Sequence, residues 1–156
     1  GEPALEKYMQ ERPKERGGPI VSKSMMSTIV LGGLWMTLVA VAFYKSAWVD
    51  SLFLDAPDHI FTYTGFFCAY IFMAVANGFN VRVEGLDLLD HILDNKGFIQ
   101  VMGGIVLIQY LLTLFGGSVL RTAPLHGQEW SAVIICALSI IIVDLLRKVF
   151  RQHLLK

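Results

Sequence analysis

Charge is scarce in this 156-residue chain: 17% of its residues are Asp, Glu, Lys or Arg, where a soluble domain carries about a quarter. Thirteen basic and thirteen acidic residues cancel, which removes the electrostatic case for a nucleic-acid partner. Cysteine is almost absent. Cys68 and Cys136 stand alone inside apolar runs, without C-x-x-C or Cys/His ligand spacing, so both read as small buried hydrophobes and not as a disulfide. His59, His91, His126 and His153 fall in separate loops and tails, on opposite sides, and form no metal constellation. No glycine-rich phosphate loop leads into Lys-Ser or Lys-Thr. The longest polar stretch is the first 24 residues, too short for a nucleotide-binding domain. Nucleotide-driven chemistry is therefore beyond this chain by itself, and it holds no catalytic residue of its own. The polar opening also leaves no place for a secretory signal peptide.

What the chain has instead is apolar surface: 54% of residues are hydrophobic and the mean hydropathy is +0.56. The excess is gathered into four blocks, at about 25–44, 60–80, 97–116 and 130–147. A helix rises about 1.5 Å per residue and needs roughly 20 apolar residues to cross the hydrocarbon core. None of the blocks alternates as a barrel strand would. The expected fold is all-α, a polytopic membrane protein with four transmembrane helices, preceded by a cytosolic lead-in at 1–24. Of the thirteen Lys and Arg residues, eleven lie in the two tails and the 81–96 loop, and only Lys45 and Arg121 in the other two loops. By the positive-inside rule both termini face the cytoplasm. Trp48 and Trp130 sit at the outer ends of spans, where amphipathic rings prefer the interface.

The polar residues inside these blocks are the candidates for function. Asn77 and Asn80 share one helical face near the cytosolic end of the second span. Amides in lipid need partners, so the pair either offers carbonyl oxygens to a cation path or bonds to neighbouring helices. Asp144 is the one carboxylate within an apolar block, and Arg147 and Lys148 follow at i+3 and i+4. That spacing suits an ion pair at the membrane interface better than an intramembrane catalytic acid. Gln100, Gln109 and Thr113 suit interhelical hydrogen bonds. Gly32-Gly33, Gly103-Gly104 and the small residues Gly65, Ala69, Ala74 and Ala76 suit close helix approach. In the lead-in, Pro13, Pro19 and Gly17-Gly18 break any long helix. Its charges alternate in sign, so Arg12, Lys14 and Arg16 read as part of a solvated tail or of a docking surface for another domain.

Several elements taken in order resemble the C-terminal membrane region of calcium-transporting P-type ATPases, the plasma-membrane type and its bacterial relatives. Ala76-Asn77-Gly78-Phe79-Asn80-Val81-Arg82 resembles the element closing the eighth membrane helix of those pumps. Phe115-Gly116-Gly117 resembles the end of the ninth, and Glu129-Trp130 the opening of the tenth. Arg12-Pro13-Lys14-Glu15-Arg16 resembles the basic segment before the seventh, and Glu2-Pro3 the cytosolic end of the sixth. The resemblance covers nearly the whole chain. It implies that the four spans are helices seven to ten of a pump driven by ATP and Mg2+ through an aspartyl-phosphate, with Ca2+ as cargo. It also implies that the phosphorylated aspartate and most calcium ligands lie upstream. The partners it implies are the lipid bilayer, the upstream transport helices, and the phosphorylation domain, which would meet Arg12, Lys14 and Arg16. The implied location is a plasma membrane, of the bacterial inner-membrane kind. Two-site reticulum-type pumps carry a ligand glutamate three residues before the equivalent of Asn77, and the plasma-membrane type a glutamine. This chain has Ala74 there, which favours a packing and access-path role for Asn77 and Asn80 over direct ligation. The rival expectation is a stand-alone four-helix scaffold or pump regulator; a secondary transporter is disfavoured because the two halves are not similar.

Overall fold

The structure, a computed structural model, describes residues 19–154 together with Met9 and Gly17. Arg12, Lys14 and Arg16 lie outside the described residues. Among the described residues there are four long helices, two single α turns and a 3-10 turn at Ile92–Asp94: α1 (Lys23–Lys45), α2 (Ala47–Asp50), α3 (Ile60–Arg82), α4 (Lys96–Phe115), α5 (Gly117–Leu120) and α6 (Gly127–Leu154). No strand occurs among the described residues. The ends are set by local chemistry. Ser22 caps α1 by accepting from the Met25 N–H, and Asn95 caps α4 by accepting from the Phe98 N–H. α4 stops at Gly116-Gly117, where Gly117 takes a φ of +45° that side-chain-bearing residues avoid.

α1, α3 and α4 are each long and apolar enough to cross a membrane. α6 is longer still, at 28 residues. It runs seven residues past the expected span at 147, because Lys and Arg end an apolar block without ending a helix. Only 11% of the apolar windows of α1 and α4 is buried in the protein, against 39% for α3. α3 is thus the central helix, packed most extensively on α6, with α1 against both and α4 against α3. The outward faces are apolar: Leu34 and Leu38 on α1, Leu107 and Ile108 on α4, Ile135 and Ile142 on α6. This inversion of the usual surface suits hydrocarbon as solvent.

The interior has an apolar part and a polar part. At one end Phe43, Phe53, Cys68, Ala69 and Val133 form the core, and Met73, Ala76, Ala137 and Ile140 continue it. Gly65 lets the Phe53 ring lie against α3: a Cβ there would come 2.1 Å from Phe53 Cε1. Other small residues behave differently from expectation. Ala74 points outward, away from Ala69 and Ala76. Gly33, Gly103 and Gly104 have open space where a Cβ would be, so these glycines mark no tight crossing.

Candidate functional site

The buried stripe of α6 changes character along its length. Val133, Ala137 and Ile140 are followed, on the same face at helical spacing, by Asp144 and Lys148. The Lys148 side chain is 1% exposed, Asp144 7% and Arg147 10%, so the three charges lie inside the protein and not on an exposed rim. Asp144 Oδ1 accepts from Arg147 Nε at 2.7 Å, and Asp144 Oδ2 stands 3.1 Å from Lys148 Nζ.

Lys148 also donates to the carbonyl oxygens of Asn80, at 2.9 Å, and Val83, at 2.7 Å. Asn80 lies in the last turn of α3 and Val83 is its C-cap, at the end where carbonyls lack intrahelical partners and the helix dipole is negative. An ammonium from α6 therefore caps α3. It makes two hydrogen bonds, to these carbonyls, and an ion pair with Asp144, which is what makes a buried cation tolerable. α3 answers in kind: Asn80 Nδ2 donates to the Ile140 carbonyl of α6 at 3.1 Å. The two helices are pinned reciprocally, side chain to backbone in both directions.

Asn77 is part of the same neighbourhood. Its Oδ1 lies 3.5 Å from Asn80 Nδ2 and faces Gly32 of α1. Thr28, Gly32, Asn77, Ile140 and Asp144 border a gap between α1, α3 and α6 that is too narrow for a water molecule. Asn80 Oδ1 has no hydrogen-bond partner. α1 is tied in by its serines: Arg147 Nη1 donates to Ser27 Oγ at 2.9 Å, and Arg151 donates to Ser24 Oγ. Arg82, at the end of α3, holds the following loop through the carbonyls of Leu88 and Asp90.

Chemically this cluster is a clamp. The oxygens a hard cation would need are those of Asp144, Asn80 and Val83, and an ammonium occupies their centre. No group of three or more His, Cys, Asp or Glu able to hold a metal occurs among the described residues.

Two further knots stabilise the bundle. Midway along α3, the Cys68 thiol lies 3.0 Å from Thr113 Oγ1 of α4, and Gln109 Nε2 donates to Cys68 Sγ at 3.5 Å; Gln100 is exposed. At the far end, the buried Glu129 carboxylate accepts from the Leu54 N–H at 2.8 Å and the His126 N–H at 2.6 Å. Asp50, outside the membrane-spanning helices, accepts from Thr62 Oγ1 at 2.5 Å, and this bond, helped by His59, holds its carboxyl below its ordinary range. Sequence reasoning gave Glu129 no structural task and passed over Ser24 and Ser27. The i, i+3 spacing of the two serines on one helical face was the available signal.

Residues 1–150 match the family "Cation transporting ATPase, C-terminus". Among curated proteins, the chain is 29% identical over 149 residues to a probable plasma-membrane-type calcium-transporting ATPase 6 of Oryza sativa subsp. japonica, covering 94% of this chain and 14% of that protein. It is 28% identical over 131 residues to the plasma-membrane-type calcium-transporting ATPase 2 of Arabidopsis thaliana, covering 83% of this chain and 13% of the relative. Against human plasma membrane calcium-transporting ATPase 3 it is 27% identical over 140 residues, covering 83% of this chain and 11% of the relative. The chain thus spans about a seventh or less of the length of these relatives. No solved structure matches it.

Proposed function

Because the chain belongs to the cation-transporting ATPase C-terminus family, we propose that it is the membrane-embedded C-terminal domain of an ATP-driven calcium pump in a plasma membrane, of the bacterial inner-membrane kind. It braces the transport helices and does not itself ligate the ion. The observation that carries the bracing role is the Lys148 ammonium seated among the Asp144, Asn80 and Val83 oxygens. Asn77 and Asn80 serve helix packing at the cytosolic end of α3, and Asp144, Arg147 and Lys148 lock α6 to α3 and α1.

All four long helices cross the bilayer in this reading. Lys23, Arg82, Lys96 and Arg151 then gather at one end of the bundle, which the positive-inside rule places in the cytoplasm. Arg12, Lys14 and Arg16 dock on the phosphorylation domain. The whole pump uses ATP, Mg2+ and Ca2+, and its ion ligands and phosphorylated aspartate belong to other segments.

An immunoblot of source membranes with an antibody against the tail RKVFRQHLLK tests this. The expected band is several times larger than 17.4 kDa. A band near that mass refutes the pump-domain reading in favour of a stand-alone four-helix scaffold or regulator. Placement of the spans is read separately, by labelling single cysteines introduced at Gly85 and Ser118 from either side of sealed vesicles. The two positions are expected to label from opposite sides.

A further inference from the structure

α1 and α6 part at the charged end of the bundle and leave a groove of about 1280 Å3. Its wall is apolar: Leu31, Val143, Leu146 and Phe150, with Leu146 and Phe150 more than half exposed. Its rim is cationic: Lys23 opens α1 and Arg151 reaches across from α6, with the largely buried Arg147 behind them. The two guanidinium groups are held in place, Arg147 by Asp144 and Ser27, Arg151 by Ser24 and the Glu84 carbonyl. Among the described residues, four cations stand around the groove and directly behind it, Lys23, Arg147, Lys148 and Arg151, against two carboxylates, Asp144 and Glu84. The Glu84 carboxylate is largely exposed and 3.9 Å from Arg151, a contact worth little in water. Positive charge is therefore in surplus at the mouth.

We propose that this groove binds an anionic phospholipid from the adjoining leaflet. Lys23 and Arg151 take the headgroup phosphate, and Leu31, Val143, Leu146 and Phe150 take the first part of an acyl chain. The depths agree. From Lys23 to Leu31 is eight residues of α1, about 12 Å along the axis. Cations at the end of such a slot lie at headgroup level while the wall lies in hydrocarbon. A basic mouth between two membrane helices is the arrangement that selects anionic headgroups. A zwitterionic lipid fills the same slot but gains little from the surplus charge. The assignment rests on α6 crossing the bilayer beside α1, which the cysteine-labelling test reads separately.

The test is native mass spectrometry of the full 156-residue chain, delipidated in mild detergent and titrated with dioleoyl phosphatidylglycerol or dioleoyl phosphatidylcholine. Wild type is expected to retain one phosphatidylglycerol preferentially. Lys23→Gln with Arg151→Gln should weaken that binding by roughly thirty-fold. Arg151→Lys should keep most of it, and Lys96→Gln, which removes a charge from the same end away from the groove, should change nothing. Circular dichroism must show wild-type helix content in each variant. Should the double variant lose its fold, Phe150→Lys reads the same slot from an exposed position and is expected to displace the lipid chain. Equal binding of the two lipids, or an unchanged preference in the folded double variant, overturns the proposal and leaves the groove to another protein segment.

Discussion

Substituting Asp144 by Asn tests the clamp most directly. An exposed i, i+4 pair is worth about 0.3–0.5 kcal/mol, so an interface ion pair would barely register the loss. The structure demands more. Lys148 is 1% exposed, and with Asp144 neutral its ammonium keeps only the Asn80 and Val83 carbonyls. An uncompensated buried charge costs about 3–5 kcal/mol. Lys148→Met, of similar length and apolar, leaves two α3 carbonyls orphaned, at about 1–3 kcal/mol each. Asp144 then still has Arg147 at 2.7 Å. The double variant has no buried ammonium left to strand, so it should be no worse than the more damaging single variant. That is a coupling of about 3 kcal/mol. The assay is unfolding from mixed micelles by sodium dodecyl sulfate, followed by circular dichroism and by tryptophan fluorescence. Additivity within about 0.5 kcal/mol, or an Asp144→Asn cost below about 1 kcal/mol, would refute the buried clamp.

Other perturbations probe the remaining contacts. Asn80→Ala removes the bond to the Ile140 carbonyl and should cost about 1 kcal/mol in the same micelle assay. Asn77→Ala, whose contact is a long 3.5 Å, should cost less, and neither change should abolish calcium-dependent phosphorylation in a full-length parent pump. Glu129→Gln leaves one of the Leu54 and His126 N–H groups with a poorer acceptor, a loss of about 1–3 kcal/mol that hydrogen exchange at those two amides would report. Gly65→Ala drives a methyl into the Phe53 ring and should destabilise by about 1–3 kcal/mol, with Phe53→Leu restoring part of it. Asp50 titrates below its ordinary 3.8 because the folded state favours its charged form. Its contribution is therefore present above that value and is lost as pH falls through the depressed one. Thr62→Val, which removes the leading cause, should bring the titration back up in carboxyl-resolved nuclear magnetic resonance, and an unmoved titration would contradict the assignment.

The sequence by itself determined the class of the protein. Apolar runs of spanning length, too few charges for a soluble surface, and turn residues such as Gly116-Gly117 between them dictate a bundle of long helices, because backbone groups in hydrocarbon must be satisfied within each helix. It also determined that Asp144, Arg147 and Lys148 would meet, since i, i+3 and i, i+4 neighbours share a face whatever surrounds them. What that face would touch was decided only by tertiary structure. Hydropathy is blind to rotation about a helix axis when every side is apolar, so Ala74 could not be told from Ala76, nor exposed Gln100 from buried Gln109. For the same reason the partner of Lys148 was invisible. Its acceptors are backbone carbonyls 65 and 68 residues away, and a carbonyl leaves no mark in sequence. Helix packing turned a local ion pair into the cap that joins α6 to α3.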